Sequence, residues 1–192
     1  MFMMNWDITI GGYKLKLLEK VNIKRSVELL ADTAVITIPD SVFNKTIEVE
    51  DKLNVGDEVS IKLGYDEDLQ EEFKGYLKAI KTDGGSLTLE CEDPIYLFRK
   101  SVKDEELKEA NVNSILSNIC SQVGDFAVSC DYDFSYEKFV ISNATGYDVL
   151  KKIQEEASPN IYLKDNVLHV HPQYAEICGI TQSELETTFS PE

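Results

Sequence analysis

The sequence predicts an α+β protein in which a small antiparallel, split β-barrel is followed by a compact α/β domain. Residues 1 to about 100 contain six or seven short runs of alternating apolar and polar side chains, typical of half-buried strands. Tight turns join most of these runs, which favours an antiparallel barrel over a parallel sheet. After Asp93 the apolar residues recur at helical spacing. We therefore expect a barrel domain at 1–100, an α/β domain at 105–175 and a C-terminal tail at 176–192.

The first hundred residues are predicted to be strands joined by tight turns. Trp6, Ile8 and Ile10 alternate with polar residues, and Gly11-Gly12 supplies the positive φ angles of a two-residue hairpin turn. Thr82-Asp83-Gly84-Gly85 is the strongest short hairpin signal in the chain. Residues 41–57 have a mixed pattern, with turns expected at 44–45 and 54–57. The other alternating runs lie at 13–17, 21–29, 34–38, 59–63, 73–80 and 87–91.

Two amphipathic helices are predicted in the second half. Residues 104–109 are charged and unpatterned, so we expect a linker or a frayed helix there. The first of the two predicted helices is capped by Asn111 or Asn113 and is followed by Gly124. Its buried face consists of Ile115, Leu116, Ile119, Cys120 and Val123.

The second helix has the clearest boundary signals in the chain. Thr145 and Asp148 form a variant of the capping box, and Pro159 ends the helix. Short strands are expected at 126–128 and 139–141, and a hairpin at 161–170 that turns at Asp165-Asn166. Thr181 and Glu184 are the only sign of a short helix in the tail.

Composition limits the classes of function. The 192 residues include 35 acidic and 19 basic side chains, a formal net charge of −16. Such a balance argues against specific nucleic-acid binding, because phosphates are neutralised by Lys and Arg. No apolar run approaches the ~20 residues that span a bilayer, so no membrane insertion is expected. The N-terminus lacks the pattern of a secretory signal, and the four scattered cysteines predict a reduced, cytosolic chain (Cys91, Cys120, Cys130 and Cys178).

The residues with metal-binding or catalytic potential form no recognisable site. His169-x-His171 places both imidazoles on one face of a strand, but no third zinc ligand has a suitable spacing. Asp131-x-Asp133-x-Ser135-x-Glu137 lacks the glycine and the final glutamate of a calcium loop, so a polar strand face is the better interpretation. Nucleophile and phosphate-binding motifs are absent. We predict no enzyme, no catalytic residues, no metal and no cofactor.

Two charged segments have both a functional and a purely structural interpretation. The acidic segment 66–72 could bind a cation, but it is predicted to be a solvated hairpin tip. The basic side chains of the N-terminal region more often decorate a strand face, but they are the best candidate for contact with an acidic partner (Lys14, Lys16, Lys20, Lys24 and Arg25).

Three stretches resemble a known family. Residues 21–39 (VNIKRSVELLADTAVITIP) read as weak alternation followed by a regular strand. The second stretch, 53–94, contains the pattern G-D-x-V-x-I-x-x-G-Y at 54–65 (NVGDEVSIKLGY). It continues with F-x-G and, after four further residues, the pattern's isoleucine, and its last strand ends at an acidic-Pro corner at 73–94 (FKGYLKAIKTDGGSLTLECEDP). Residues 139–172 read as strand, capped helix, strand, turn and strand. This order resembles the N-terminal part of the tail hub, or late-control, proteins of contractile-tailed phages and of type VI secretion spike proteins.

The resemblance implies a structural role. The chain would be a subunit of a tail baseplate hub in a phage, a prophage or a phage-derived injection machine, connecting tail tube and spike proteins. It would self-associate as a ring, trimeric in the full-length family, through barrel edge strands. It would be assembled in the bacterial cytoplasm and reside in the virion tail. Family members continue into a second barrel. We therefore expect either that the chain is truncated after the tail at 176–192 or that the second barrel belongs to a separate chain.

Two other functions stay open, together with one hypothesis about charge. A cell-wall or glycan-binding module would need an exposed aromatic platform, for which Tyr132, Tyr136 and Tyr147 are candidates. A small metal-dependent hydrolase would need His169 and His171 to share a metal. In the hub, an acidic channel wall would repel phosphate, so that DNA or an acidic effector passes without being trapped.

Overall fold

The computed structural model describes residues 4–26, 29–39, 52–66, 68–83 and 86–172. Several expectations fall outside these ranges: the turn at 44–45, the glycines at 84–85, Val27, Cys178, the helix signal at Thr181 and Glu184, and the tail at 176–192. Within them the protein is α+β and mostly antiparallel, in agreement with the predicted class.

A seven-stranded antiparallel sheet occupies the first part of the chain. Its strands lie in the spatial order β2-β1-β5-β6-β7-β4-β3. Their bounds are β1 Met4–Ile10, β2 Tyr13–Lys14, β3 Lys20–Lys24, β4 Thr33–Ile38, β5 Glu58–Tyr65, β6 Asp68–Asp83 and β7 Ser86–Glu92. In the described part of the chain β2 and β3 do not pair with each other, so hydrogen bonds do not close the sheet into a barrel.

The second part of the chain combines two helices with two small sheets. A 3-10 helix at Pro94–Arg99 follows the first sheet. Next come β8 Glu105–Asn111, α1 Val112–Val123, β9 Ala127–Cys130, β10 Ser135–Ile141, α2 Gly146–Ala157, β11 Pro159–Lys164 and β12 Val167–Pro172. β8 pairs with β10, and β12 lies between β11 and β9. The β9–β12 pair is parallel, whereas the other strand pairs described are antiparallel.

The predicted turns and helix caps are present where their residues are described. Gly11 and Gly12 have φ of 55° and 83°, and Asp165 and Asn166 have φ of 50° and 64°, the left-handed values that two-residue hairpins need. Asn111 accepts a hydrogen bond from the amide of Ser114 at the start of α1. Local chemistry therefore sets these element boundaries.

Two expectations about elements were wrong. Residues 104–109 do not form a linker or a frayed helix, because β8 runs through them and pairs with β10. Its apolar residues Leu107 and Ala110 pack inward while the charged ones stay exposed, which hides the strand pattern. The runs at 13–17 and 21–29 are both shorter than expected, since β2 ends at Lys14 and β3 ends at Lys24.

The buried side chains form two hydrophobic cores. The first core lies within the seven-stranded sheet and includes Ile8, Ile36, Ile61, Leu77 and Leu89. The second core contains the buried faces of α1 and α2 and the inner faces of β10, β11 and β12. It also takes four residues from the first hundred: Leu30, Ala31, Ile95 and Phe98.

Candidate functional site

The junction between the two cores is built around a buried carboxylate. Glu92, at the end of β7, has a side chain only 3% exposed. Its two oxygens accept hydrogen bonds from Arg99 Nε at 2.5 Å and Nη2 at 2.6 Å, and Lys78 Nζ lies 3.5 Å away. The Arg99 guanidinium carbon is 4.0 Å from the ring centre of Tyr147 on α2. This network joins β7, the 3-10 helix and α2, and the sequence pattern did not predict it.

Asp93 is the second acidic group at this junction. Its carboxylate accepts hydrogen bonds from the amides of Asp32 at 3.0 Å and Ile95 at 2.9 Å. Burial raises the pKa of Asp93 to about 6, and the nearby carboxylates of Asp32 and Glu92 act in the same direction. Asp93 therefore holds the chain between the two cores through its hydrogen bonds, although burial and the neighbouring carboxylates destabilise its ionised form.

The two histidines share one face of β12, as the spacing predicted. The His169 ring stacks on Tyr162 of β11, with centroids 4.8 Å apart, and lies 5.7 Å from the His171 ring. His171 Nδ1 is 2.6 Å from a carboxylate oxygen of Asp131. Among the residues that the structure describes, no group of three or more His, Cys, Asp or Glu side chains could hold a metal ion. The sequence pattern did not indicate Tyr162 as a neighbour of the histidines. The turn at 165–166 could have done so, because it sets the strand register that places Tyr162 opposite His169.

The three candidate tyrosines do not share one groove. Tyr132 donates a hydrogen bond to the carbonyl of Ala157 at the end of α2, and Tyr136 packs edge-on against Phe139. Tyr147 lies near the other end of α2, about 15 Å away at 1.5 Å per residue, and is covered by Arg99. Burial raises the pKa of Tyr136 and that of Tyr147. The aromatic platform that a glycan-binding module would need is not formed by this set.

The suspected calcium segment is divided between a loop and a strand. Asp131 and Asp133 lie in the connection from β9 to β10, where Asp131 contacts His171. Ser135 and Glu137 belong to β10 and are exposed. The segment therefore does not wrap around one point.

The basic side chains of the N-terminal region are exposed and lie along two edges of the large sheet. Lys14 on β2 forms an ion pair with Asp7 at 2.7 Å. Lys20 and Lys24 project from β3, and Arg25 Nη2, just past its end, lies 3.6 Å from the carboxylate of Glu72 on β6. Lys16 is exposed in the connection between β2 and β3.

The acidic segment 66–72, which was expected to be a hairpin tip, borders an open groove. Most of it belongs to a strand, because β6 begins at Asp68. β5 and β6 approach each other so closely here that a Cβ on Gly64 would lie 1.8 Å from the carbonyl oxygen of Asp68. A groove of about 550 Å³ lies between this hairpin and β3. Its apolar lining consists of Met4, Val21, Ile23, Leu63 and Tyr65, and its charged lining of Asp68 and Glu72.

The described cysteines are free thiols. Cys91 and Cys120 are buried, and burial raises the pKa of each to about 12. Cys130 is partly exposed. No helix in the described ranges has the length and apolar character needed to cross a bilayer.

The fold is shared with tail proteins of known structure. The chain superposes on a tail protein from Neisseria meningitidis MC58 with a TM-score of 0.53 and 18% identity, covering 87% of this chain and 51% of the other. The 43 kDa tail protein of prophage MuSo2 from Shewanella oneidensis gives a TM-score of 0.56 and 14% identity, covering 88% of this chain and 54% of the other. A chain of a PdpA–VgrG complex gives a TM-score of 0.51 and 11% identity, covering 91% of this chain and 36% of the other.

The architecture is that of two tail proteins, one of them from a prophage, and of a chain in a PdpA–VgrG complex. The expected resemblance to the tail hub and late-control family is thus confirmed at the level of fold. The chain spans about half of the length of the two tail proteins. No protein-family model and no curated protein sequence matches it.

Proposed function

We propose that the chain is a structural, non-catalytic subunit of the tail baseplate hub of a phage or phage-derived injection machine. The observation that carries this proposal is the shared fold, which extends over 87% and 88% of the chain in two tail proteins. In this role it would assemble into a ring, reside in the virion tail and connect the tail tube to the spike. Its contacts are with proteins, and the net charge of −16 disfavours retention of DNA.

We also propose that the seven-stranded sheet is a split barrel. Laid flat, seven strands would separate β2 from β3 by about 29 Å, six spacings of ~4.8 Å. Residues 15–19 alone connect these two strands, and six residue steps span at most about 21 Å. The ion pair between Arg25 and Glu72 also brings the end of β3 to β6. Both observations support a sheet curled around the first core, with an open seam beside β3.

The domain division that we propose follows the two cores. Residues 1–100 would form the barrel unit and residues 105–175 the α/β unit, with the tail at 176–192 after it. The side chains of Leu30, Ala31, Ile95 and Phe98 pack into the second core, so the two units would share a buried junction. Such a junction suits a hub subunit, which has to transmit load between tube and spike without bending.

Co-assembly tests the proposed role. The chain is co-expressed with candidate tail tube and spike proteins from the same genome, and complexes are analysed by light scattering and electron microscopy. We expect a ring in which this chain is present in three copies and contacts both partners. A chain that stays monomeric and binds neither protein contradicts the proposal.

A further inference from the structure

The core-facing side of the hairpin formed by β5 and β6 continues beyond the first core. Cross-strand register defines successive rows across β1, β5 and β6. The row Ile8, Ile61 and Phe73 is buried, and the row Trp6, Leu63 and Gln70 follows it. In the last row Met4 is 64% and Tyr65 is 61% exposed. The apolar face that covers the first core is therefore exposed to solvent at this end of the sheet.

β3 provides the opposite wall of the groove. Val21 and Ile23 are partly buried and line it, while Leu63 and Tyr65 line the hairpin side. In the described part of the chain β3 pairs with β4 along one edge and has no strand along its other edge. An edge strand of this kind offers unpaired backbone amide and carbonyl groups to an incoming segment.

The charges that line the groove have one sign. Asp68 accepts a hydrogen bond from the Gln70 side chain at 2.8 Å and pairs with no lysine or arginine in the described ranges. Among the cations that the structure describes, Glu72 pairs with Arg25 alone, at 3.6 Å, and both side chains are about half exposed. A complementary ligand therefore carries positive charge beside its apolar residues.

We propose that this groove, lined by Met4, Val21, Ile23, Leu63, Tyr65, Asp68 and Glu72, binds an extended segment of a partner protein along the free edge of β3. The segment has apolar side chains on the face toward the sheet and a lysine or arginine beside Asp68 and Glu72. Backbone pairing with β3 supplies affinity, and the apolar lining together with the two carboxylates supplies specificity. The groove has this chemistry whatever assembly the chain belongs to, so the inference does not rest on the proposed tail role.

Peptide binding to the full chain tests this inference. Three fluorescein-labelled peptides are compared by anisotropy: KVTVTVK, the acidic analogue EVTVTVE and the polar analogue KSTSTSK. We expect KVTVTVK to bind at least about tenfold more tightly than either analogue, because one analogue reverses the charge and the other removes the apolar face. Raising the salt concentration should weaken its binding, since the charged groups are exposed.

Matched substitutions locate the binding site. Asp68→Lys and Tyr65→Ser should each weaken binding of KVTVTVK by about tenfold, because they alter the charge and the apolar lining. Glu137→Lys and Val140→Ser make the same kinds of change at exposed positions of β10 and should leave binding unchanged. Thermal unfolding confirms that each variant is folded before it is compared.

Three results would overturn the inference. One is that KVTVTVK shows no binding at protein concentrations up to about 1 mM, which would place its Kd above the range of a specific peptide site. Another is equal affinity for KVTVTVK and EVTVTVE. The last is equal sensitivity of binding to the β10 substitutions and to those in the groove.

Discussion

Arg99 binds Glu92 through two hydrogen bonds, 2.5 and 2.6 Å long, while the ring of Tyr147 covers the guanidinium. The Glu92 carboxylate is almost completely buried, and Lys78 Nζ is the second cation beside it, 3.5 Å away. The hydrogen bond and ion pair with Glu92 in turn raise the pKa of Arg99. The Arg99 guanidinium thus connects the end of β7, through Glu92, to α2, through Tyr147.

Removal of Arg99 should destabilise the protein strongly. In Arg99→Met the Glu92 carboxylate stays buried with only Lys78 beside it, and we expect a loss of about 2–4 kcal/mol in the free energy of unfolding. Urea denaturation measures the change. Lys81→Met is the control, because its pair with Glu90 is exposed to solvent and should cost less than about 1 kcal/mol. Similar losses in the two variants would contradict a structural role for the Glu92–Arg99 pair.

Asp93 should make stability depend on pH between 4 and 6. Its pKa is raised to about 6 in the folded state, above the ordinary value of ~3.9 in the unfolded chain. Ionisation therefore costs more in the folded state, so this group destabilises the protein above pH 6. The cost disappears as the pH falls toward 4. We expect the wild type to gain about 2–3 kcal/mol relative to Asp93→Asn over this interval.

Urea midpoints measured at pH 4 and pH 7 check this difference. Asp133→Asn is the control, since Asp133 is exposed in the connection between β9 and β10. It should keep the pH dependence of the wild type. If Asp93→Asn and the wild type show the same change from pH 7 to pH 4, the assignment to Asp93 is wrong.

The capping box of α2 should contribute measurably to stability. Thr145 Oγ1 accepts a hydrogen bond from the amide of Asp148, and the Asp148 carboxylate accepts one from the amide of Thr145. The hydrogen bonds from Thr145 lower the pKa of Asp148. We expect Thr145→Ala to lose about 1 kcal/mol and Thr145→Ser to lose little, as measured by thermal unfolding. A serine variant as unstable as the alanine variant would show that the hydroxyl is not responsible.

The buried thiols should react only after unfolding. Burial raises the pKa of Cys91 and of Cys120 to about 12, so almost no thiolate exists at pH 8. In a Cys178→Ser background, a thiol reagent should modify the partly exposed Cys130 of the native protein first. The other two should react on addition of urea, in step with the loss of circular dichroism. Rapid modification of all three native thiols would contradict the packing around Cys91 and Cys120.

The features that the sequence predicted well are those set by neighbouring residues. Gly11-Gly12, Asp165-Asn166 and the Thr145–Asp148 cap are each decided within four positions, and the structure confirms all three. β8 was missed because its charged residues face water and only Leu107 and Ala110 face the core. Contacts between residues that are far apart in the sequence produce no periodic pattern of apolar residues. The parallel pairing of β9 with β12 joins residues about 40 positions apart, and the groove beside β3 depends on how the whole sheet curls.

The side chains of Leu30 and Ala31 enter the second core from a connection in the first part of the chain. Ile95 and Phe98 do the same from the 3-10 helix. A genetic split at residue 100 would therefore deprive the C-terminal piece of four interior side chains and uncover the surfaces of α1 and α2 against which they pack. Deletion mapping by simple halves would yield insoluble fragments, so a study of either part should begin with point substitutions in the intact polypeptide.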